Sequence, residues 1–178
     1  MTQPPKQFDP VGEFLHEQGC PSHVVRAGLK GLVMAWEKVV HELVFDGYRY
    51  GLRDFASDLW RRELLEGALR HLEGKPGRTV PEAFRARIGT ADKRFQDATR
   101  PSSRSLREVV PSPSPDRPAP STAPSANATS AAGGGSADAP GDAWWFQRLP
   151  RRHRANFARD LESAGIQGID EPATPTKT

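Results

Sequence analysis

Apolar residues recur with a helical period through the first 99 residues, almost vanish after Pro101, and return abruptly at Trp144. A short amphipathic run, Val11, Phe14 and Leu15, predicts one or two helical turns ending at Gly19. Ser22 follows Pro21 as the expected N-cap of the next helix. Over His23 to Phe45 the residues Val25, Leu29, Leu32, Trp36, Val39 and Leu43 are spaced 4, 3, 4, 3 and 4 apart. That is the stripe of a packed helix. Val33, Val40 and Val44 widen it, which implies burial against more than one neighbour. Gly28 and Gly31 weaken its first turns by about 1 kcal/mol each relative to Ala, or permit a close crossing.

Asp46-Gly47 is a turn signal. Tyr48-Arg49-Tyr50 alternates like a strand but is too short to build a sheet, so it reads as a connector whose rings pack on helices. Leu52, Phe55 and Leu59, then Leu64, Leu65, Ala68, Leu69 and Leu72, restore the helical period. Ser57 and Asp58 sit where a second helix would be capped, so two helices or a kink near Asp58 are expected. Gly74 and Pro76-Gly77 end the run. Thr79 and Glu82 have capping-box spacing, with Pro81 at an early helical position. Phe84, Ile88, Ala91 and Phe95 give the last helix of this part a narrow stripe. Its other face is strongly charged through Arg85, Arg87, Lys93 and Arg94.

The expected organisation is therefore all-α. It comprises a lead over 1–10, a domain of three to five helices over 11–99, and a disordered Pro/Ser/Ala/Gly-rich linker over 100–143. An aromatic, Arg-rich helical segment over 144–165 and a disordered tail over 166–178 complete it. Between Pro101 and Gly141 only Leu106, Val109 and Val110 are bulky and apolar, too few to offset chain entropy. Such a linker has an end-to-end distance of about 35 Å, enough to return the last segment to most of the domain's surface. Pro150 is placed to start a helix over Arg151 to Ala164, with Gly165 as its C′ residue.

Composition agrees with a chain folded only in part: 36% apolar residues, 17 Pro and 16 Gly in 178. Its Ala, Pro and Arg bias matches a high-GC bacterial coding sequence. The formal net charge is +3, low for a strong non-specific nucleic-acid binder. Residues 1–99 are nearly neutral and residues 100–143 balance. Residues 144–164 carry five Arg against two acids, so this short stretch equals the net charge of the whole chain. The single Cys20 excludes an intrachain disulfide. No apolar run is long enough to span a bilayer and the first residues lack a signal core, so membrane insertion is not expected and cytoplasm is the expected location.

Candidate chemistry is sparse. His16, His23, His41, His71 and His153 show no metal spacing, and no phosphate-cradling glycine loop or nucleophile elbow is present. Glu37 with His41, and Glu63 with Glu66, read as ordinary helix-face pairs. Cys20 reads as a packing residue rather than a nucleophile. Trp36, Tyr48, Tyr50 and Phe55 read as core, while Trp60, beside Arg61 and Arg62, is placed at the surface. No cofactor, metal or catalytic group is expected.

The most informative residues are Trp144, Trp145, Phe146, Arg148, Arg151, Arg152, Arg154, Phe157 and Leu161. Aromatic anchors with Arg are the residue types enriched in protein-interface hot spots. They predict a docking segment, seated in cis on its own helical domain or in trans on a partner protein. The expected function is a non-enzymatic protein–protein interaction or adaptor protein. The alternative is a small nucleic-acid-associated regulator that contacts phosphate through the same Arg cluster.

Overall fold

The computed structural model describes residues 10–110 and 143–168, and these are mostly helical. Helix α1 spans Pro10–Glu17, α2 Ser22–Asp46, α3 Leu52–Glu73 and α4 Glu82–Ala98. A three-residue strand β1, Thr99–Pro101, and one turn of helix α5, Leu106–Val109, follow. After the undescribed stretch come a 3-10 turn at Trp144–Gln147, strand β2 at Arg148–Pro150 and helix α6 at Ala155–Ala164. Among the described residues, no helix is long and apolar enough to cross a membrane.

Helix α2 is the hub. All six residues of its stripe, with Val33 and Val40, are buried. The wide stripe serves three neighbours, because α2 packs against α1, α3 and α4. Trp36 meets Phe95 of α4 in a tilted ring contact at 5.1 Å, and Phe95 reaches Phe55 of α3 at 6.4 Å. The helix is not continuous: Gly28 has φ 54° and ψ −150° and breaks it. Gly28 is also buried. An L side chain there would be strained by the positive φ, which is why glycine holds that position.

Helix starts depart from expectation. The cap positions of α2 and α4 are Pro21 and Pro81, and no side-chain cap hydrogen bond forms at either. Neither Ser22 nor the Thr79–Glu82 capping box acts as expected. Helix α3 runs unbroken from Leu52 to Glu73, so the expected break near Asp58 is corrected. Asp58 is occupied elsewhere: it accepts the Tyr48 hydroxyl at 2.9 Å and pairs with Arg61. Ser57 donates to the Arg53 carbonyl within the helix.

The boundary of the expected linker also moves. Residues 99–110 belong to the fold: β1 pairs antiparallel with β2, in the register Thr99↔Pro150, Arg100↔Leu149 and Pro101↔Arg148. Leu106 is fully buried. The remainder of that linker, residues 111–142, lies outside the described residues, as do residues 1–9 of the lead and 169–178 of the tail. Ile166 is buried, and Ser103 N–H donates to the Gln167 carbonyl at 2.8 Å, so the fold extends past residue 165.

The C-terminal segment seats on its own domain. Phe157 of α6 meets Phe55 edge-on at 5.7 Å and Tyr48 at 5.6 Å, and Phe146 meets Trp60 at 4.9 Å. The expected helix over 151–164 starts only at Ala155, because the backbone of residues 151–154 is bonded to Ala98 and Tyr48 instead of to itself. It ends as expected at Gly165, with φ 63°.

One contact ties the two parts at a helix terminus. The first N–H groups of a helix have no intrahelical acceptor. Leu52 N–H, at the start of α3, donates to Oδ2 of Asp160 on α6 at 2.9 Å. A Cβ on Gly51 would lie 2.8 Å from that oxygen, so glycine is what permits the approach. Asp160→Ala is expected to lower stability by about 0.5–2 kcal/mol, the usual cost of losing a cap. The urea midpoint measures it; an unchanged midpoint would show that water replaces the carboxylate without loss.

Candidate binding groove

The residues singled out in sequence separate into two groups. Trp145, Phe146, Phe157 and Leu161 are buried, and Trp144 is half-buried with its ring 5.9 Å from Phe95. These aromatic anchors dock, but in cis, as part of the core. Arg148 joins them in a structural role: Nε donates to Thr99 Oγ1 at 2.8 Å, and Nη2 to the Gln96 and Thr99 carbonyls. Arg151, Arg152 and Arg154 remain exposed. The structure therefore does not bring the nine residues together as one surface.

A buried ionic cluster supports this docking. Arg62, 5% exposed, holds Asp92 through Nε–Oδ1 at 3.0 Å and Nη2–Oδ2 at 2.9 Å. Its Nη1 donates to Glu66 at 2.9 Å, and Trp36 Nε1 donates to the same Asp92 at 2.8 Å. The Arg62 guanidinium lies 4.5 Å from the centre of the Trp145 ring. Burial works against its charge, but the hydrogen bonds and charges of Asp92 and Glu66 outweigh that and raise its pKa. Trp60 is half-buried rather than at the surface, with the Arg107 guanidinium over its ring at 5.1 Å.

The open surface lies along α2 and α4. Helices α2 and α4 border a groove of about 490 Å³, with the buried Val40 and Ala91 in its floor and Glu37, Lys38, Arg87 and Arg94 at its sides. Arg94 also lines an adjoining cleft of about 330 Å³. That cleft has Leu43, Val44 and Ala98 on the helical side and Arg151 and Arg152 on the C-terminal side, with Asp97 at its edge. Together the two hollows present five cations against two carboxylates.

One carboxylate and one cation of this set are already paired with each other, which leaves four cations against Asp97. Arg87 grips Glu37, Nε to Oε1 at 2.8 Å. Those hydrogen bonds hold the Glu37 carboxyl below its ordinary range against the opposing effect of burial. Among the described residues, no side-chain hydrogen bond or ion pair engages Arg94 or Arg152. Phe45, 63% exposed, lies against the groove residue His41 in a tilted ring contact at 4.5 Å. Among the described residues no group of His, Cys, Asp or Glu is placed to hold a metal ion.

Sequence reasoning missed Lys38, Arg87 and Arg94 as groove residues. The charged face of α4 was visible in the spacing, but only the pairing of α2 with α4 turns it into a wall. No protein-family model matches the chain, and neither a curated protein nor a solved structure is significantly similar to it.

Proposed function

We propose that this protein is a non-enzymatic interaction module that takes an acidic, partly apolar segment of a partner protein in the α2/α4 groove. The observation that carries the reading is the charge of the groove. Its floor is apolar and its walls hold five cations against two carboxylates; with Arg87 and Glu37 paired to each other, four cations stand against Asp97. A carboxylate-bearing segment with aliphatic side chains would satisfy both parts. Guanidinium groups stay protonated at every physiological pH, so they suit recognition better than proton transfer.

A fluorescein-labelled amphipathic peptide of Glu and Leu is expected to bind with micromolar or better affinity by anisotropy. Arg94→Glu is expected to weaken it by about tenfold, or roughly 1.4 kcal/mol. Ala86→Trp, at an exposed groove position, is expected to block it. Binding unaffected by both substitutions would remove the reading.

A nucleic-acid-associated regulator is the second reading, and the exposure of Arg151, Arg152 and Arg154 favours it. Against it, Trp145 and Phe146 are buried and have no face to offer an unpaired base. Single-stranded DNA binding that falls steeply with salt, and exceeds peptide binding, would decide for it.

A further inference from the structure

The cleft beyond Arg94 has two walls from distant parts of the chain. Leu43, Val44, Asp97 and Ala98 come from α2 and α4, whereas Arg151 and Arg152 come from the segment after β2. We propose that this is a composite oxyanion site. It exists only while the C-terminal segment is docked, so an acidic peptide that fills it holds that segment in place. The inference rests on the groove reading above and adds to it a partner-driven clamp on the C-terminal segment.

The joint between the walls is a set of main-chain hydrogen bonds. Arg151 N–H donates to the Ala98 carbonyl at 3.0 Å, Tyr48 N–H to the Arg152 carbonyl at 2.8 Å, and Arg154 N–H to the Tyr48 carbonyl at 3.1 Å. These bonds hold the backbone of residues 151–154 against the end of α4 and against Tyr48, just past α2, while the Arg152 side chain stays exposed. Arg94 faces them from α4. Guanidinium groups on opposite walls can bracket a pair of carboxylates, each through two parallel N–H donors. The apolar floor would accept the aliphatic part of the same segment.

Thermodynamic linkage then follows. A ligand that touches both walls binds the docked state and not the undocked one, so it favours docking by the factor 1 + [L]/Kd. Docking reciprocally raises affinity for the ligand.

The test is hydrogen exchange on the full chain, with and without the Glu/Leu peptide at a hundred times its Kd. The amides of Tyr48, Arg151 and Arg154 are expected to exchange about a hundredfold more slowly with peptide present. Arg152→Glu keeps the main-chain bonds and is expected to weaken the peptide by about tenfold, and so to cut the slowing from about a hundredfold to about tenfold at the same peptide concentration. Arg152→Lys is expected to retain most of both effects, and Arg152→Ala to fall between. Peptide binding to the wild type with no slowing at these amides, or with Arg152→Glu binding at full strength, would overturn the clamp and leave the groove reading intact. No peptide binding to the wild type would overturn the groove reading first, and the clamp with it.

Discussion

A chain ended at Val110 is expected to lose its cooperative unfolding transition, although it retains all four long helices of the N-terminal part. The missing segment withdraws six large side chains from the core: Trp145, Phe146, Leu149, Phe157, Leu161 and Ile166. Each such burial is worth about 1.5–3 kcal/mol, so the loss is on the order of 10 kcal/mol. That equals the whole stability of an ordinary domain, about 5–15 kcal/mol. The truncated chain also uncovers Phe55 and Phe95 and leaves the start of α3 without Asp160. Helical far-UV circular dichroism should persist in part, near-UV signal should fade, and a hydrophobic dye should bind. A sharp urea transition in the shortened protein would show that residues 10–110 fold alone. Phe157→Ala in the full chain is the milder version, expected to cost about 3–5 kcal/mol.

The second large effect is expected at Asp92. Its carboxylate accepts two hydrogen bonds from Arg62 and one from Trp36. Asp92→Ala leaves a buried guanidinium short of a partner, a loss of about 3–5 kcal/mol. The magnitude comes from the stranded charge rather than from the pair itself. Replacing both partners by apolar residues of similar volume, Arg62→Met with Asp92→Leu, is therefore expected to recover most of the loss. About 1–3 kcal/mol should remain, because Trp36 Nε1 then has no acceptor. Urea unfolding of both variants measures this. A double variant no more stable than Asp92→Ala would show that the ion pair matters through something other than its own desolvation.

How far the sequence led differs from residue to residue. The stripe from Val25 to Leu43 was legible because six positions obey one period, and all six are buried. Gly165 was legible because a helix end favours glycine at C′, and it adopts φ 63° there. Gly28 was not, since a glycine within a periodic stripe signals either a break or a close crossing. Asp58 looked like a cap because its tertiary partner, Tyr48, lies outside the helix. Strands of three residues carry no periodic signal, so β1 and β2 were invisible until they met. Leu106 looked like a stray apolar residue in polar surroundings, and it is fully buried. For the candidate site, Trp145 and Phe146 are buried against the rest of the chain, and nothing in their identity distinguishes a core residue from one that docks on a partner. The groove depends on which helices are neighbours, and a charged face on α4 says nothing of what stands opposite.

The pairing of Thr99 with Pro150 has a consequence for how this protein is made. A ribosome adds roughly 5–20 residues per second, so Ile166 is synthesised several seconds after Val110. Throughout that interval the nascent helices have an unfilled apolar face around Phe55 and Phe95, and Arg62 lacks its Trp145 cover. The β1–β2 ladder then closes between residues far apart in sequence, which makes it a slow step compared with forming any one helix. Newly made chains therefore spend longer at risk of aggregation than their helical content suggests. Synonymous changes that slow translation between Val110 and Ile166 should lower the soluble yield of an otherwise identical protein.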